Sequence, residues 1–463
     1  MKAQFLKPNF IGIITIASAA ILFGCSSLRH ALFYSNAYDL GIFDQGTYLI
    51  SQGKEPIVVF RGIHLLGDHA AYIFYPLAFL YKIVPDVHWL FAVQAIALVS
   101  GAWCVWRIAL QAGLTPSMSI AIAPIYLLYP LIFNANLFDF HPEVLCIPGI
   151  FGAVWAARGK KLLWFCGCVV LTLSTKAVLS LTIAAMGIWL IVFEKRRLYG
   201  AIALMAGIAW FIVATQVIIP EFSGGEAAAV NRYSFLGDSV IEIVLNLFLQ
   251  PGLVLRQIFT LSNFVYLIFF FAPVLWGLSW HHLAPLIAIV PTIALNLIAD
   301  VAAQKDLVHH YSLPALPFLF LAIISAIAAR ESWFQRRRWM LAWAMVSFLA
   351  LAKFGFFWTT YLEELDTWQA RRSAIARVET KGNVLTASQI APHLTHRPYL
   401  QLTLDENKEI QLDPFDYILL DLRYPGWQSS PETARAFRDR ALAMPQFQLE
   451  YQRDDVILFA RRL

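Results

Sequence analysis

The chain is built from apolar runs about as long as a bilayer is thick, and their repetition limits its fold more than any other feature. A helix that crosses the hydrocarbon core needs about 20 mainly apolar residues, within a range of about 17–25. Runs of this kind, some short, are read at 9–28, 88–110, 117–135, 144–158, 161–176, 177–193, 198–219, 261–280, 283–300, 312–330 and 339–358. Backbone polar groups cannot be left unsatisfied in lipid, so such runs fold as helices. The composition agrees: 59% of residues are hydrophobic and 14% charged, against about a quarter charged in an ordinary soluble chain. The expected fold is an all-α polytopic membrane protein with about eleven transmembrane helices. The net charge of +5 does not signal nucleic acid, because the basic residues fall in short clusters between the apolar runs.

The first run follows MKAQFLKPNF and ends near Leu22-Phe23-Gly24-Cys25, which resembles a lipoprotein signal. Phe23 is bulky where such sites use small residues, and many apolar segments follow, so an uncleaved first helix is the better reading. The five cysteines mostly lie inside apolar runs without zinc spacing, and read as small packing residues.

Lys and Arg in short loops set orientation. Arg158-Gly159-Lys160-Lys161, Glu194-Lys195-Arg196-Arg197, Arg336-Arg337-Arg338 and the N-terminus with Lys2 and Lys7 all fall on the cytoplasmic side if HAAYIFYPLAFLYKIVP (69–85) does not span. Its tyrosines, Lys82 and Pro85 suit a helix lying in the interface. The domain reading is then a membrane part, 1–358, with a first outer loop at 29–87, and a small extracytoplasmic α/β domain at 359–463. In the latter, NVLTAS and FDYILLDL read as strands, SQIAPHLT as a helical turn, PETARAFRDRALAM as an amphipathic helix and FQLEYQRDDVILFARR as a hairpin. WTTYLEELDTWQARRSAIARVET reads as a charged helix ahead of them.

Four polar regions fall on the outer face: the loop 29–87, NLFDFHPE (136–143), the loop 220–260 and the turn near His309-His310. At the bilayer centre Asp139 alone would cost roughly 2.5–3.5 kcal/mol. Pro142 disfavours helix at His141 and suits the first turn of the next helix, which makes NLFDFHPE a helix-to-helix corner at the membrane surface. Glu143 then sits in a helical first turn, where the dipole favours its charge. If Asp139 and His141 are extended, their side chains share one side. Three ionisable groups in five residues exceed what a cap needs.

In YDLGIFDQG (38–46), Asp39 and Asp44 would diverge by about 140° on a helix. Asp39 can cap a short amphipathic helix, serve a reaction, or do both. GIHLLGDH (62–69) offers Asp68 and His69, as a hydrogen-bonded turn or as metal or acid–base groups. Lys176 in TLSTKAVLSL, Arg232 in NRYSFLGDS and His310 before YSLPALP are groups that can grip a lipid phosphate or merely snorkel.

YDLGIFDQG, GDH, NLFDFHPE, RYSFLGDS and VLTASQIAPHLTHR with DYILLDL together resemble the bacterial membrane-protein family DUF2079 over nearly the whole chain, NLFDFHPE being the most specific element. That family is similar in layout to the GT-C glycosyltransferases, notably aminoarabinose transferases and protein O-mannosyltransferases. The likeness implies a catalytic acidic residue in the loop after helix one, matching Asp39 with Asp44 as its neighbour, and a polyprenyl-phosphate-linked sugar as donor. HAAYIFYPLAFLYKIV resembles their interfacial helix, with Ala70-Ala71 replacing two prolines. LSTKAVLSL resembles their Leu-Thr-Lys-Gly element, whose Lys meets the donor phosphate. HYSLPALP resembles their Arg-Tyr-x-x-Pro-x-x-Pro element, with His310 where Arg is usual. The family's acidic pair just after the Lys is replaced here by Ala177-Val178.

The reading that follows is a glycosyltransferase of the bacterial inner membrane. Asp39 would be the base. Asp68, His69, Asp139, His141 and Glu143 would shape the pocket, and Lys176, Arg232 and His310 would face the phosphate. A divalent metal ion is a candidate cofactor, with Asp39, Asp139 and His141 as its candidate ligands; membrane lipids are the other expected partners. A lipid or polysaccharide transporter or flippase, and a non-catalytic envelope assembly protein, are the alternatives.

Overall fold

The computed structural model describes residues 7–462, with side chains from Phe10 onward; Lys2 lies outside the described residues. Every apolar run read from the sequence is mainly helix, whether α, 3-10 or, at Ala214–Ile218, π. Among the described residues, five helices are long and apolar enough to cross a membrane: Phe10–Ala31, His88–Gln111, Pro116–Leu137, Arg197–Ser223 and His310–Ala328. The number rises to seven if two bent pairs, Ala228–Leu249 with Pro251–Ile258 and Arg337–Leu351 with Lys353–Leu362, each count as one span. Four further apolar helices are shorter. Segment 69–85 holds one helix, Phe74–Ile83, of ten residues, about half of what a span needs.

Stretch 220–260 is more than the polar loop expected from its charges. It carries Ala228–Leu236, Val240–Leu249 and Pro251–Ile258, with a 90° bend before the last. VIEIVLNLFL is apolar at nearly every position, and Ser239 caps it by accepting from the Glu242 amide. Helix wins over loop there because a capped apolar decapeptide favours it.

The chain divides into two compact units: Met1–Gly24 with Leu66–Ile73 and Ala92–Lys353, and Cys25–Leu65 with Phe74–Phe91 and Phe354–Leu463. In the first unit, helices Leu179–Val192 and Arg197–Val213 approach until only glycine fits. A Cβ at Gly187 would lie 2.5 Å from Leu204 N, and one at Gly207 2.5 Å from Ser180 O. Close backbone approach through small residues is how helices bind each other in lipid, where the hydrophobic effect supplies no attraction between them. Buried amides close the broken ends. Asn134 Nδ2 donates to Leu307 O at 2.8 Å and Leu351 O at 3.1 Å, while its Oδ1 accepts from Lys353 N at 2.7 Å. One side chain thus satisfies both sides of the break between Arg337–Leu351 and Lys353.

In the second unit, β1 (Ile57–Val58) and β2 (Ile63–His64) form a small antiparallel pair. A larger sheet holds β3 (Val384–Thr386), β4 (Leu400–Leu402), β5 (Tyr417–Asp421), β6 (Phe447–Arg453) and β7 (Val456–Arg461) in the order β4-β3-β5-β7-β6. β3 runs parallel to β4 and β5, whereas β7 is antiparallel to β5 and β6. Period-two alternation divides its residues between two cores. Leu385, Ile418, Ile457 and Phe459 join Phe437 of helix Pro431–Ala443. Val384, Leu419 and Leu458 join Ala370 and Ala374 of helix Leu365–Ile375, together with Phe33 and Ala37. Arg371 is wholly buried, its Nε donating at 2.7 Å to the equally buried Asp421 at the end of β5. β4, three residues long, was not read from the sequence.

Candidate functional site

The corner forms as its proline dictates. Helix Pro130–Leu137 ends, His141 is extended at φ −135° and ψ 133°, and Pro142 opens a 3-10 turn, Pro142–Leu145, that carries Glu143 in its first turn. Asp139 departs from the extended geometry considered above: its φ is 62°, in the left-handed region. Asp tolerates that conformation because its short polar side chain can bond locally. Asp139 and His141 therefore do not alternate like strand residues. Both are buried, and the His141 amide donates to Gln94 Oε1 at 3.2 Å.

Three other segments meet this corner within the first unit. Lys176 sits in the break between helices Leu162–Leu173 and Leu179–Val192, and its Nζ donates to Glu143 Oε1 at 2.5 Å. His310, opening the 3-10 turn His310–Ala315, brings Nε2 to 3.1 Å from the same oxygen, close but too poorly aligned for a good hydrogen bond, and its ring stacks on His141 at 3.8 Å. The stretch 66–73 runs alongside 174–177, with Ala177 N donating to His69 O at 2.9 Å and Ile73 N to Ser174 O at 3.0 Å. Gly67 permits this course: a Cβ there would lie 2.6 Å from Phe222 O. Asp68 and His69 lie 3.4 Å apart.

Tyr311, not singled out from the sequence, joins the cations. Lys176 Nζ lies 6.0 Å and the Arg232 guanidinium 5.1 Å from its ring centre, distances at which a ring face attracts a cation. No local pattern marked Tyr311; its position beside His310 in HYSLP was the one available hint. Asp68, His69, His141, Glu143, Lys176, Arg232 and His310 are thus linked by contacts in one region.

The electrostatics of that region are unusual. Burial by itself would raise the Glu143 carboxyl, but the Lys176 ammonium and then His310 outweigh it and hold the group well below the usual carboxylate range. Burial pushes His69 down to about 4, with Asp68 pulling the other way. Among the described residues, Glu143 Oε2 and His310 Nδ1 are buried without a hydrogen-bond partner. A charged acceptor left half-satisfied costs free energy, so the region has capacity for a polar group it does not itself supply.

Asp39 and Asp44 belong to the second unit. Of the two roles open to Asp39, the helix cap is made instead by Asn36, whose side chain accepts from Tyr38 N at 2.8 Å; Asp39 lies in the first turn after it and is half-buried. Asp44, on helix Ile42–Ser51, is 1% exposed. It accepts from Tyr81 Oη at 2.6 Å, from Thr395 Oγ1 and from His396 Nε2 at 3.2 Å. His396 also stacks on Tyr48 at 4.6 Å. Tyr81, Thr395 and His396 were not legible as partners, because 351 residues separate Thr395 from Asp44.

Among the described residues, no group of three or more His, Cys, Asp and Glu is arranged to hold a metal ion. Asp39, Asp139 and His141, the candidate ligands, are accordingly not part of such a group among the described residues.

DUF2079, described as a predicted membrane protein, matches residues 29–458. The chain belongs to this family. No curated protein matches the sequence. Among solved structures, this DUF2079 chain is similar to ArnT from Cupriavidus metallidurans bound to undecaprenyl phosphate, at 10% identity over 97% of both chains with a TM-score of 0.53. The apo state of the same protein gives 9% identity, the same coverage and a TM-score of 0.45. At such identity the likeness to the bound form establishes a shared fold and nothing finer.

Proposed function

We propose that the protein is a membrane glycosyltransferase that moves a sugar from a polyprenyl-phosphate donor to an extracytoplasmic acceptor. The observation that carries this reading is the meeting of Lys176 and Arg232 at the Tyr311 ring, with Lys176 also bound to a buried carboxylate that has an unfilled oxygen. Lys and Arg are the side chains suited to lipid-phosphate oxygens, and the ArnT of similar fold holds undecaprenyl phosphate. His310 stands where the resembling enzymes use Arg; its place against Glu143 and His141 suits it to orient the carboxylate rather than to grip phosphate.

In the reaction, the acceptor hydroxyl oxygen bonds to the anomeric carbon as the bond from that carbon to the donor phosphate oxygen breaks. The electron pair leaves with the phosphate, and the hydroxyl proton passes to a carboxylate acting as general base, the role that the family resemblance implies for Asp39. Lys176 and Arg232 stabilise the leaving phosphate. Asp44, saturated by Tyr81, Thr395 and His396, fixes the segment that carries Asp39. The arrangement in the membrane is eleven spans, N-terminus cytoplasmic and C-terminal sheet outside, in the bacterial inner membrane. Its support is the distribution of basic clusters and the ten-residue length of Phe74–Ile83.

The test is transfer from a panel of polyprenyl-phosphate sugars. Asp39→Asn is expected to slow transfer by about 10²–10⁴-fold, and Lys176→Ala to weaken donor binding. Unimpaired transfer by Asp39→Asn sinks the assignment of the base. If the unmodified protein transfers nothing from any donor, the transporter and assembly readings move ahead. A cysteine at the exposed position Glu406 should label from outside intact cells; labelling only after lysis would overturn the topology.

A further inference from the structure

A cavity of about 650 Å³ lies in the first unit where helices Pro116–Leu127 and Arg337–Leu351 begin. Arg336, Arg337 and Arg338 line it, and so do the apolar Phe10, Ile120, Pro124 and Leu341; the exposed arginines are taken as its mouth and the apolar residues as its wall. None of the lining residues is acidic. The arginines are exposed, and among the described residues no carboxylate pairs with them: Arg337 donates to Ser117 O at 3.4 Å, and Arg338 lies over the Trp339 ring at 5.3 Å.

This placement opposes the helix dipole. The N-terminus of Arg337–Leu351 is the positive end, which favours anions; here it has no acidic residue in its first turn and no side-chain cap, and it is surrounded by three cations. An anion at the mouth would relieve the repulsion among the arginines and accept from the first-turn amides. The wall behind is apolar, so an inorganic anion would leave most of the cavity unmatched. A headgroup that is anionic at one end and continues into hydrocarbon matches both parts.

We infer that this cavity binds an anionic phospholipid, its phosphate among Arg336, Arg337 and Arg338 and the start of its acyl chains against Ile120, Pro124 and Leu341. A volume of this size is ordinary for a specific ligand pocket, and basic pockets between membrane helices are known to take such headgroups. The site is independent of Asp39, Glu143 and Lys176, and stands whether or not the transfer reaction does.

The experiment places the full-length protein in nanodiscs of equal parts phosphatidylglycerol and phosphatidylethanolamine, and counts retained lipids by native mass spectrometry. The unmodified protein should retain phosphatidylglycerol in preference. Arg336→Gln, Arg337→Gln and Arg338→Gln should lose roughly fivefold in retention for each arginine removed. Leu341→Trp keeps every charge and fills the wall, and should abolish the preference. A matched variant with Lys160, Lys195 and Arg197 changed to Gln removes three exposed charges that do not line the cavity, and should leave retention unchanged. Equal loss in that variant, an undiminished preference in Leu341→Trp, or displacement of the lipid by millimolar inorganic phosphate would each overturn the proposal. Every variant is checked for unmodified yield and for external labelling at position 406, so misfolding is not read as loss of binding.

Discussion

Two buried carboxylates, one in each unit, are held by opposite means. Glu143 is answered by a full positive charge from Lys176, with His310 beside it, and keeps Oε2 without a partner. Asp44 is answered by hydroxyls and an imidazole, and both of its oxygens are engaged. A saturated carboxylate behaves as a fastener, since any ligand must first displace a donor already in place. A carboxylate paired with a cation but carrying a spare oxygen belongs to a region that can exchange partners. On this contrast the proposed ligand chemistry is assigned to the region of Glu143, and a structural duty to Asp44.

The contrast breaks most visibly if Lys176 is removed. Lys176→Met leaves Glu143 buried without its counter-charge, a change that costs about 3–5 kcal/mol. Pairing it with Glu143→Gln removes both charges and should restore most of the stability, as neutral replacements of a buried pair usually do. Thermal unfolding in detergent measures both. An unchanged midpoint in Lys176→Met would mean that the pair contributes no net stabilisation.

At Asp44 the expected loss is smaller. Asp44→Asn keeps one acceptor oxygen and presents an amide donor toward groups that are themselves donors. Hydrogen bonds to charged groups contribute about 1.5–3 kcal/mol each, and Tyr81→Phe should lose no more than one of them. The readout is protease resistance of the C-terminal sheet. If Asp44→Asn weakens the protein as much as Lys176→Met, the distinction between a fastener and an exchangeable site fails.

How far the sequence carried this contrast depends on the range of the interaction. The corner was legible because Pro142 acts on its immediate neighbours, and β3, β5, β7 and helix Pro431–Ala443 were legible because period and capping are local. Glu143, Lys176 and Arg232 could be named as candidates from their cost in an apolar setting. Their pairing could not, since 33 residues separate Glu143 from Lys176 and nothing local selects the partner. Local reasoning also offered Asp39 as a cap, beside a reactive role, where Asn36 does the capping, and missed both Tyr311 and the helix Val240–Leu249 inside a stretch read as a polar loop.

A third way to sharpen the comparison is pH. His69 in the first unit and His393 in the second are each pushed down from 6.5 to about 4, chiefly by burial. Around His393 stand His30, stacked at 4.0 Å, with His88, Asp44 and Arg371 also acting on it. Because the folded value lies below the unfolded one, the unfolded chain binds more protons between those limits. Stability is therefore complete above about pH 6.5 and declines as pH falls toward about 4. Hydrogen exchange should show loosening in both units over this window. His69→Gln should flatten the response in the first and His393→Gln in the second. A response at the C-terminal sheet that survives His393→Gln would assign it to another group.

The smallest expected change is at Asp39, and it separates holding from reacting. Asn36 supplies the side-chain cap of the turn that contains Asp39, and Asn at position 39 keeps the shape and most of the hydrogen-bonding capacity of Asp. Half-buried and near a helix start, Asp39→Asn should shift stability by no more than about 0.5 kcal/mol, the ordinary range for substitutions away from packed features. Asp44→Asn, five residues on, should cost several times more. A carboxylate that can be neutralised without unfolding the protein, yet whose loss stops transfer, is serving chemistry. If instead Asp39→Asn lowers the unfolding midpoint as far as Asp44→Asn does, Asp39 is a second fastener, and the base for the transfer must be sought elsewhere.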